Sequence, residues 1–116
     1  MKEKPPDKAR LQHIRDAIEE VESYVEGIDL AFFEKDSKTR FASIKQLEIV
    51  GEAVYHLTNE LKEKYPEVEW KAIAGLRHIL VHDYYEIQND ILWRIIQVHV
   101  PVFKGQILRV ILEIED

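Results

Sequence analysis

The sequence predicts an all-α protein: a single domain built as an up-and-down bundle of four or five helices. Three observations favour this fold class. Apolar residues recur every three or four positions along most of the chain, and no stretch alternates apolar and polar residues as a strand does. No Asn-Gly or Asp-Gly pair marks a hairpin. At 116 residues the chain has room for one domain with its own core.

The N-terminal part predicts a tail followed by an amphipathic helix. Residues 1–7 are polar and contain Pro5-Pro6, so we expect a flexible tail, with the helical domain spanning residues 8–116. From about Lys8 the apolar positions follow a helical period, at Leu11, Ile14, Ile18, Val21, Val25 and Ile28. Gly27 marks the end of this helix, and residues 28–33 are expected to add a short helical turn.

A second helix is predicted from Asp36 or Ser37, either of which can cap it, to about Lys64. Pro66 prevents simple continuation. Its apolar stripe consists of Phe41, Ile44, Leu47, Val50, Val54, Leu57 and Leu61. Gly51 lies inside this helix, where glycine costs about 1 kcal/mol relative to alanine. It is either a tolerated cost or, as we favour, a point where a neighbouring helix comes close.

Two further helices follow. The third starts between residues 67 and 70 and directs Ile73, Leu76, Leu80 and Val81 towards the core. The fourth runs from about Ile91 to Glu113, capped by the polar residues 88–90, and Pro101 should bend it or split it. Its apolar residues cover more than one face, which predicts that one side meets a second subunit in a homodimer.

Composition limits the function classes. The net charge of −6 argues against binding nucleic acid in general, and DNA is not expected as a partner. The charge is uneven, because residues 70–112 carry five Lys/Arg and three acids whereas the rest carries 11 and 19. The absence of cysteine excludes disulfides and thiolate zinc sites. No apolar run approaches the roughly 18–20 residues of a membrane span, so we expect a cytoplasmic protein without a membrane partner.

The stretch RHILVHDYY, from Arg77 to Tyr85, concentrates chemically active side chains. Arginine grips phosphate through a planar fork, and histidine takes or gives a proton near neutral pH. Together they meet the minimum needs of metal-free RNA cleavage, so Arg77 and His82 are the catalytic candidates. His78 is a supporting candidate, and Asp83 either orients His82 or lies in solvent. Many helices contain such a pair, so the residues alone leave an exposed helix surface as the alternative.

The spacing of the pair raises a geometric question. Arg77 and His82 are five residues apart, about 140° around an ideal helix, so they do not line one face. They can converge if the helix ends near His82, if the long Arg77 side chain reaches round, or if a second copy of the helix completes the site. Tyr84 lies within about 20° of the Arg77 stripe.

A metal site is also considered and rejected. Glu52 and His56 are four residues apart, as are His78 and His82, which places each pair on one helix face. The di-iron bundle pattern needs Glu-x-x-His twice, and no Glu in this chain has a His three residues later. We therefore expect no metal and no cofactor. The remaining histidines are interpreted as surface or satisfied core residues: His13, His56 and His99.

The run YPEVEWKAIAGLRHILVHDYY, with IVGEAVYHLTNELKEKYP before it and ILWRIIQVHVPVFKGQI after it, resembles the HepT-like branch of the HEPN superfamily. The resemblance covers about residues 11–114. Its most specific parts are the Gly-Glu-Ala sequence at residues 51–53, the helix start at residues 65–70, and an R-x4-H-x-Y motif formed by Arg77, His82 and Tyr84.

The resemblance implies a HEPN-like, dimerising bundle in which motif residues of both subunits line one cleft. It also implies metal-independent endoribonuclease activity, used as the toxin of a toxin–antitoxin pair. The antitoxin would be a minimal nucleotidyltransferase that attaches AMP to Tyr84, and the added bulk and negative charge beside Arg77 would exclude RNA. The alternative is a non-catalytic subunit that presents a nucleotide or substrate to the transferase.

Overall fold

The computed structural model describes residues 7–82 and 87–114, and every regular element within these ranges is helical, which confirms the all-α prediction. Most of the predicted tail lies outside the described residues, and its last residue already belongs to the first helix. The elements are α1 (Asp7–Val25), α2 (Leu30–Lys35), α3 (Ser37–Tyr55), α4 (Asn59–Lys64), α5 (Trp70–His82), α6 (Asn89–Arg94), a π-helical turn (Ile95–His99) and α7 (Val100–Glu113).

Helix α3 is the centre of the bundle. It packs against α1 on one side and α5 on the other, while α7 packs on α1 and α2 bridges α3 and α6. The core between them contains fully buried side chains such as Leu11, Ile18, Phe33, Leu47, Val54, Leu80 and Ile107. Gly27, with φ of +78°, takes the left-handed conformation just after α1 and allows the chain to turn into α2.

Two residues assigned to the core by periodicity are exposed, Phe41 and Val81. Repeated steps of three drift around a helix, so Phe41 lies about 140° from the buried Val54. Val81 follows the fully buried Leu80 and is turned about 100° away from it. Both assignments were therefore wrong for the same reason, which is that the core covers a narrower arc than the apolar residues do.

The predicted second helix is divided into α3 and α4, so its unbroken course to Lys64 was wrong. Thr58 starts the new helix, and its hydroxyl accepts a hydrogen bond from the backbone N–H of Leu61 (3.2 Å). The Asp7 carboxylate accepts two hydrogen bonds from Thr58, at 3.1 Å from the backbone nitrogen and 2.6 Å from the hydroxyl. This contact joins residues 51 positions apart, so the local apolar period carries no sign of it.

The last three elements form one continuous helix of 25 residues, from Asn89 to Glu113. Pro101 neither splits it nor ends it. The wider π turn at Ile95–His99 comes just before the proline and accommodates its missing N–H. By length and composition alone this helix could cross a membrane, so the expectation that no apolar segment approaches that size was wrong. Core helices of globular proteins meet the same criterion.

One face of this helix is apolar but uncovered in the single chain. Ile91, Val98 and Val102 are exposed and follow one another at steps of seven and four, so they form one exposed stripe. Val98 and Val102 also line an apolar groove of about 420 Å³ between the last helix and α5. A stripe of this kind is consistent with a subunit interface, and the homodimer stays a prediction.

Candidate functional site

The start of α5 is fixed by Trp70. Its indole N–H donates a hydrogen bond to the carbonyl of Tyr65 (2.9 Å), and its ring meets Phe103 edge-on with centroids 6.4 Å apart. Trp70 and Leu80 are both buried. Trp70 is therefore a packing residue at the start of α5, and its position sets which side chains of α5 point at α3.

Helices α3 and α5 come close at Gly51. A Cβ atom added to this glycine would lie 2.8 Å from the Cβ of Arg77 and 3.0 Å from its backbone nitrogen. Real Cβ atoms essentially never approach other heavy atoms to under 3.0 Å, so a larger residue would push the helices apart. The favoured interpretation of Gly51 is therefore confirmed, and the residue that approaches it is the motif arginine.

The Arg77 side chain lies against α3. Its Nε is 3.1 Å from Oε1 of Glu52, and its guanidinium carbon is 5.0 Å from the ring centroid of Tyr55. The buried Nε–H is not aligned to hydrogen-bond the carboxylate, so this contact is an ion pair without a hydrogen bond. The side chains of Arg77 and Glu52 are 37% and 52% exposed, so the cation is held in place and still open to a ligand.

The second oxygen of the same carboxylate contacts His56. His56 Nε2 lies 2.9 Å from Oε2 of Glu52, and its ring meets Tyr55 edge-on at 5.1 Å. An ionised carboxylate only accepts hydrogen bonds, so Nε2 donates in this contact and Nδ1 takes no part in it. The carbonyl of His56 accepts a hydrogen bond from Arg10 Nη1 (3.0 Å), which ties the end of α3 to α1.

These residues line a groove of about 420 Å³ between α1, α3 and α5, here called the arginine groove. It contains three cations, two carboxylates and two imidazoles, contributed by Arg10, Lys45, Arg77, Glu48, Glu52, His13 and His56. In a chain of net charge −6, a groove with more Lys/Arg than acids is locally favourable for an anion.

His78 and His82 lie elsewhere on α5. Their rings contact each other with centroids 4.5 Å apart, and both residues are exposed. Helix α5 does end at His82, as one of the possible ways to bring the pair together requires. In the described residues, however, Arg77 contacts Glu52 and Tyr55, whereas His82 contacts His78. Within the described residues no contact joins Arg77 to His82, and the Arg77 side chain reaches towards α3 rather than round to His82. Completion by a second copy stays a prediction.

Asp83, Tyr84 and Tyr85 fall outside the described residues, so the supporting role of Asp83 and the modification of Tyr84 stay predictions. Within residues 7–82 and 87–114, no group of three or more His, Asp or Glu side chains could hold a metal ion.

The sequence did not identify the cluster around Glu52. The spacing of Glu52 and His56 was considered only as a metal pair, and His56 was interpreted as a surface or core residue. The missing information was the pairing of α3 with α5, since Glu52 and Arg77 are 25 positions apart in the chain. Gly51 was the available signal, because a close approach there also brings its neighbour Glu52 near the opposite helix.

Comparisons with known proteins agree on one family. Residues 14–110 match the family described as ribonuclease HepT-like. The chain is 38% identical over 100 residues to "Putative RNase MJ1380" of Methanocaldococcus jannaschii, covering 86% of this chain and 92% of that protein. It is 36% identical over 96 residues to "Probable ribonuclease HepT" of Thermococcus cleftensis, covering 83% and 87%. No solved structure gives a significant match.

Proposed function

Because the chain belongs to the HepT-like ribonuclease family, we propose that it is a metal-independent endoribonuclease that acts as the toxin of a toxin–antitoxin pair. The observation that carries the proposal is the position of the motif arginine. Arg77 is a permanently charged, partly exposed side chain, fixed by α3 at a groove with room for a phosphate. Guanidinium is well suited to phosphate because its planar fork matches two oxygens.

In the proposed reaction His82 removes the proton of a ribose 2′-hydroxyl, and the 2′-oxygen attacks the adjacent phosphorus. Arg77 stabilises the negative charge that grows on the phosphate, an effect of about 3 kcal/mol for a preorganised donor. Proton transfer by a positioned side chain contributes about 10²–10⁴ in rate. His78 and Asp83 are assigned supporting roles beside His82. The products are a 2′,3′-cyclic phosphate and a free 5′-hydroxyl.

The proposed enzyme is a homodimer. Arg77 and His82 lie on different faces of α5, so one copy alone does not surround a single phosphodiester. A second subunit can supply the missing group, and the exposed stripe on the last helix offers an apolar surface for association. RNA would then bind in a composite cleft that uses motif residues from both copies.

The proposed partner is a minimal nucleotidyltransferase antitoxin that attaches AMP to Tyr84. Seven residues separate Tyr84 from Arg77, so on a continued helix both would lie on one stripe. An AMP group there would add bulk and a negative charge beside the cation that binds phosphate, and RNA would be excluded. We assign the pair to the cytoplasm, where the RNA substrate is found.

The test is cleavage of RNA in EDTA by purified protein, with analysis of the product ends. Wild type should release 2′,3′-cyclic phosphate ends, and Arg77→Ala and His82→Ala should abolish cleavage while circular dichroism shows an unchanged helical fold. The control is His99→Ala, which removes an exposed imidazole from the last helix. Cleavage that persists in both motif variants would overturn the assigned roles. Intact RNA with wild type, combined with stable binding to a nucleotidyltransferase, would favour the non-catalytic alternative.

A further inference from the structure

Cleavage by a 2′-hydroxyl requires two proton transfers, and one copy of the motif accounts for only one of them. One proton leaves the 2′-oxygen, and another must reach the departing 5′-oxygen. Arg77 cannot donate it, because a guanidinium stays protonated in proteins. With His82 assigned as the base, a second titratable group has to act as the acid.

We propose that His56 is this acid, with Glu52 as the residue that positions it; the inference rests on the proposed ribonuclease function. In the step, the 2′-oxygen forms a bond to phosphorus while His82 accepts its proton. The bond from phosphorus to the 5′-oxygen breaks, and the His56 imidazolium gives its proton to that oxygen. One proton is taken up and one is released, so no further reactant is required.

The geometry points to His56 because it shares a carboxylate with the motif arginine. Oε1 of Glu52 lies 3.1 Å from Arg77 Nε, and Oε2 lies 2.9 Å from His56 Nε2. A phosphate bound to Arg77 would therefore lie close to the imidazole of the same chain. His82, by contrast, contacts His78 on another face of α5.

His56 is held in the manner that proton transfer requires. Glu52 fixes one ring nitrogen, and the other, Nδ1, is left to face a substrate. Its main chain is fixed as well, because Arg10 donates a hydrogen bond to its carbonyl. A carboxylate that orients an imidazole is a recurrent arrangement for acid–base catalysis, since the orientation and tautomer of the ring are set before the substrate binds.

The other imidazoles of the described residues do not meet these conditions. His13 lines the same groove, but no hydrogen bond, ion pair or ring contact holds its side chain within the described part of the chain. His78 packs on His82, away from Arg77. His99 is exposed on the last helix. His56 alone among the four is both oriented and next to the motif arginine.

The experiment compares two RNA substrates that differ only in the leaving atom at the cleavage position. One has the normal 5′-oxygen, and the other has a bridging 5′-sulfur, which leaves as a thiolate without being protonated. Rates are measured with protein in excess over RNA, in EDTA. His56→Ala should cleave the oxygen substrate about 10²–10⁴-fold more slowly than wild type does. It should cleave the sulfur substrate at close to the wild-type rate.

Matched variants separate the roles. Arg77→Ala should slow both substrates, because charge on the phosphate develops with either leaving atom. His56→Gln can still donate a hydrogen bond to Glu52 but cannot titrate, so it should behave as His56→Ala does and guards against a folding effect. His99→Ala removes an exposed imidazole from the last helix, outside the arginine groove, and should leave both rates unchanged.

The outcomes are distinguishable. If both His56 variants cleave both substrates as wild type does, or slow both equally, His56 is not the acid and only this inference is overturned. If wild type cleaves neither substrate, the ribonuclease proposal fails and this inference fails with it. Selective loss on the oxygen substrate supports proton donation by His56, and the same selective loss in His82→Ala instead would assign the acid to His82.

Discussion

Replacing Gly51 with alanine tests the contact that positions Arg77. The new Cβ would be 2.8 Å from the Cβ of Arg77, 3.0 Å from its nitrogen and 3.2 Å from its Cα. Two of these three atoms belong to the backbone, so rotation of the arginine side chain cannot relieve the contact. Helix α5 must move away from α3, or the local backbone must distort.

The expected magnitude combines two opposing effects. Alanine is favoured over glycine inside a helix by about 1 kcal/mol. Overpacking of a close contact costs about 1–3 kcal/mol. Gly51→Ala should therefore lower the free energy of unfolding by about 0–2 kcal/mol. The controls are Gly75→Ala and Gly105→Ala, where an added Cβ meets nothing within 4 Å, and each should gain about 1 kcal/mol.

The assay is urea and thermal unfolding followed by circular dichroism, with all three variants measured beside wild type. For a chain of this size 1 kcal/mol corresponds to about 4 °C in Tm, so the two classes should separate clearly. RNA cleavage should fall for Gly51→Ala, because Arg77 moves relative to Glu52, and should be retained for Gly75→Ala. A Gly51→Ala protein as stabilised as the two controls would refute the close approach of α3 and α5.

Four further changes have defined expectations. Glu52→Gln removes a negative charge beside the phosphate site, so the KM for RNA should fall. Because Arg77 also loses the carboxylate that orients it, kcat should fall as well, and steady-state kinetics measures both. Val102→Asp places a charge on the exposed stripe and should yield a folded monomer by light scattering, if the stripe is the dimer interface. Asp7→Ala removes two hydrogen bonds to the start of α4 and should cost about 1–3 kcal/mol in urea unfolding. The hydrogen bond to Glu22 raises the pKa of Lys104 above 10.5. The Lys104–Glu22 contact therefore stabilises the fold while the lysine is protonated, and this stabilisation is lost as the pH rises through the raised pKa. The difference in unfolding free energy between wild type and Lys104→Met should accordingly narrow above about pH 10.5.

The predictable part of the fold is the part set by local sequence. The apolar period of Leu11, Ile14 and Ile18 depends only on near neighbours, and it predicted α1 with an error of one residue at its start. Asp36 was one of two residues predicted to cap α3, the other being Ser37, and it does accept a hydrogen bond from the backbone N–H of Thr39. The division between α3 and α4 depends instead on Asp7, which is far away in the chain, so no local pattern could reveal it.

The candidate site likewise has a part that the sequence could predict and a part that it could not. Arg77 was predicted as the phosphate-binding candidate from its residue type, and Gly51 as a close approach from its position inside a helix. The cluster that connects them could not be predicted, because Glu52 meets Arg77 only once the register of α3 against α5 is fixed. The apolar pattern sets which faces of two helices meet, but it does not set which turn of one lies opposite which turn of the other.

The ion pair of Glu52 with Arg77 is weak enough for RNA to replace it. Partly exposed pairs of this kind contribute only about 0–1 kcal/mol, and the Nε–H of Arg77 has no hydrogen bond to lose. A phosphate offers the guanidinium two acceptor oxygens in a charge-assisted, bidentate contact, which is stronger than the contact it displaces. Since Oε2 of Glu52 is held by His56, the carboxylate can release Arg77 without releasing the imidazole. Substrate binding would thus exchange the partner of the cation while the proposed proton donor stays in position.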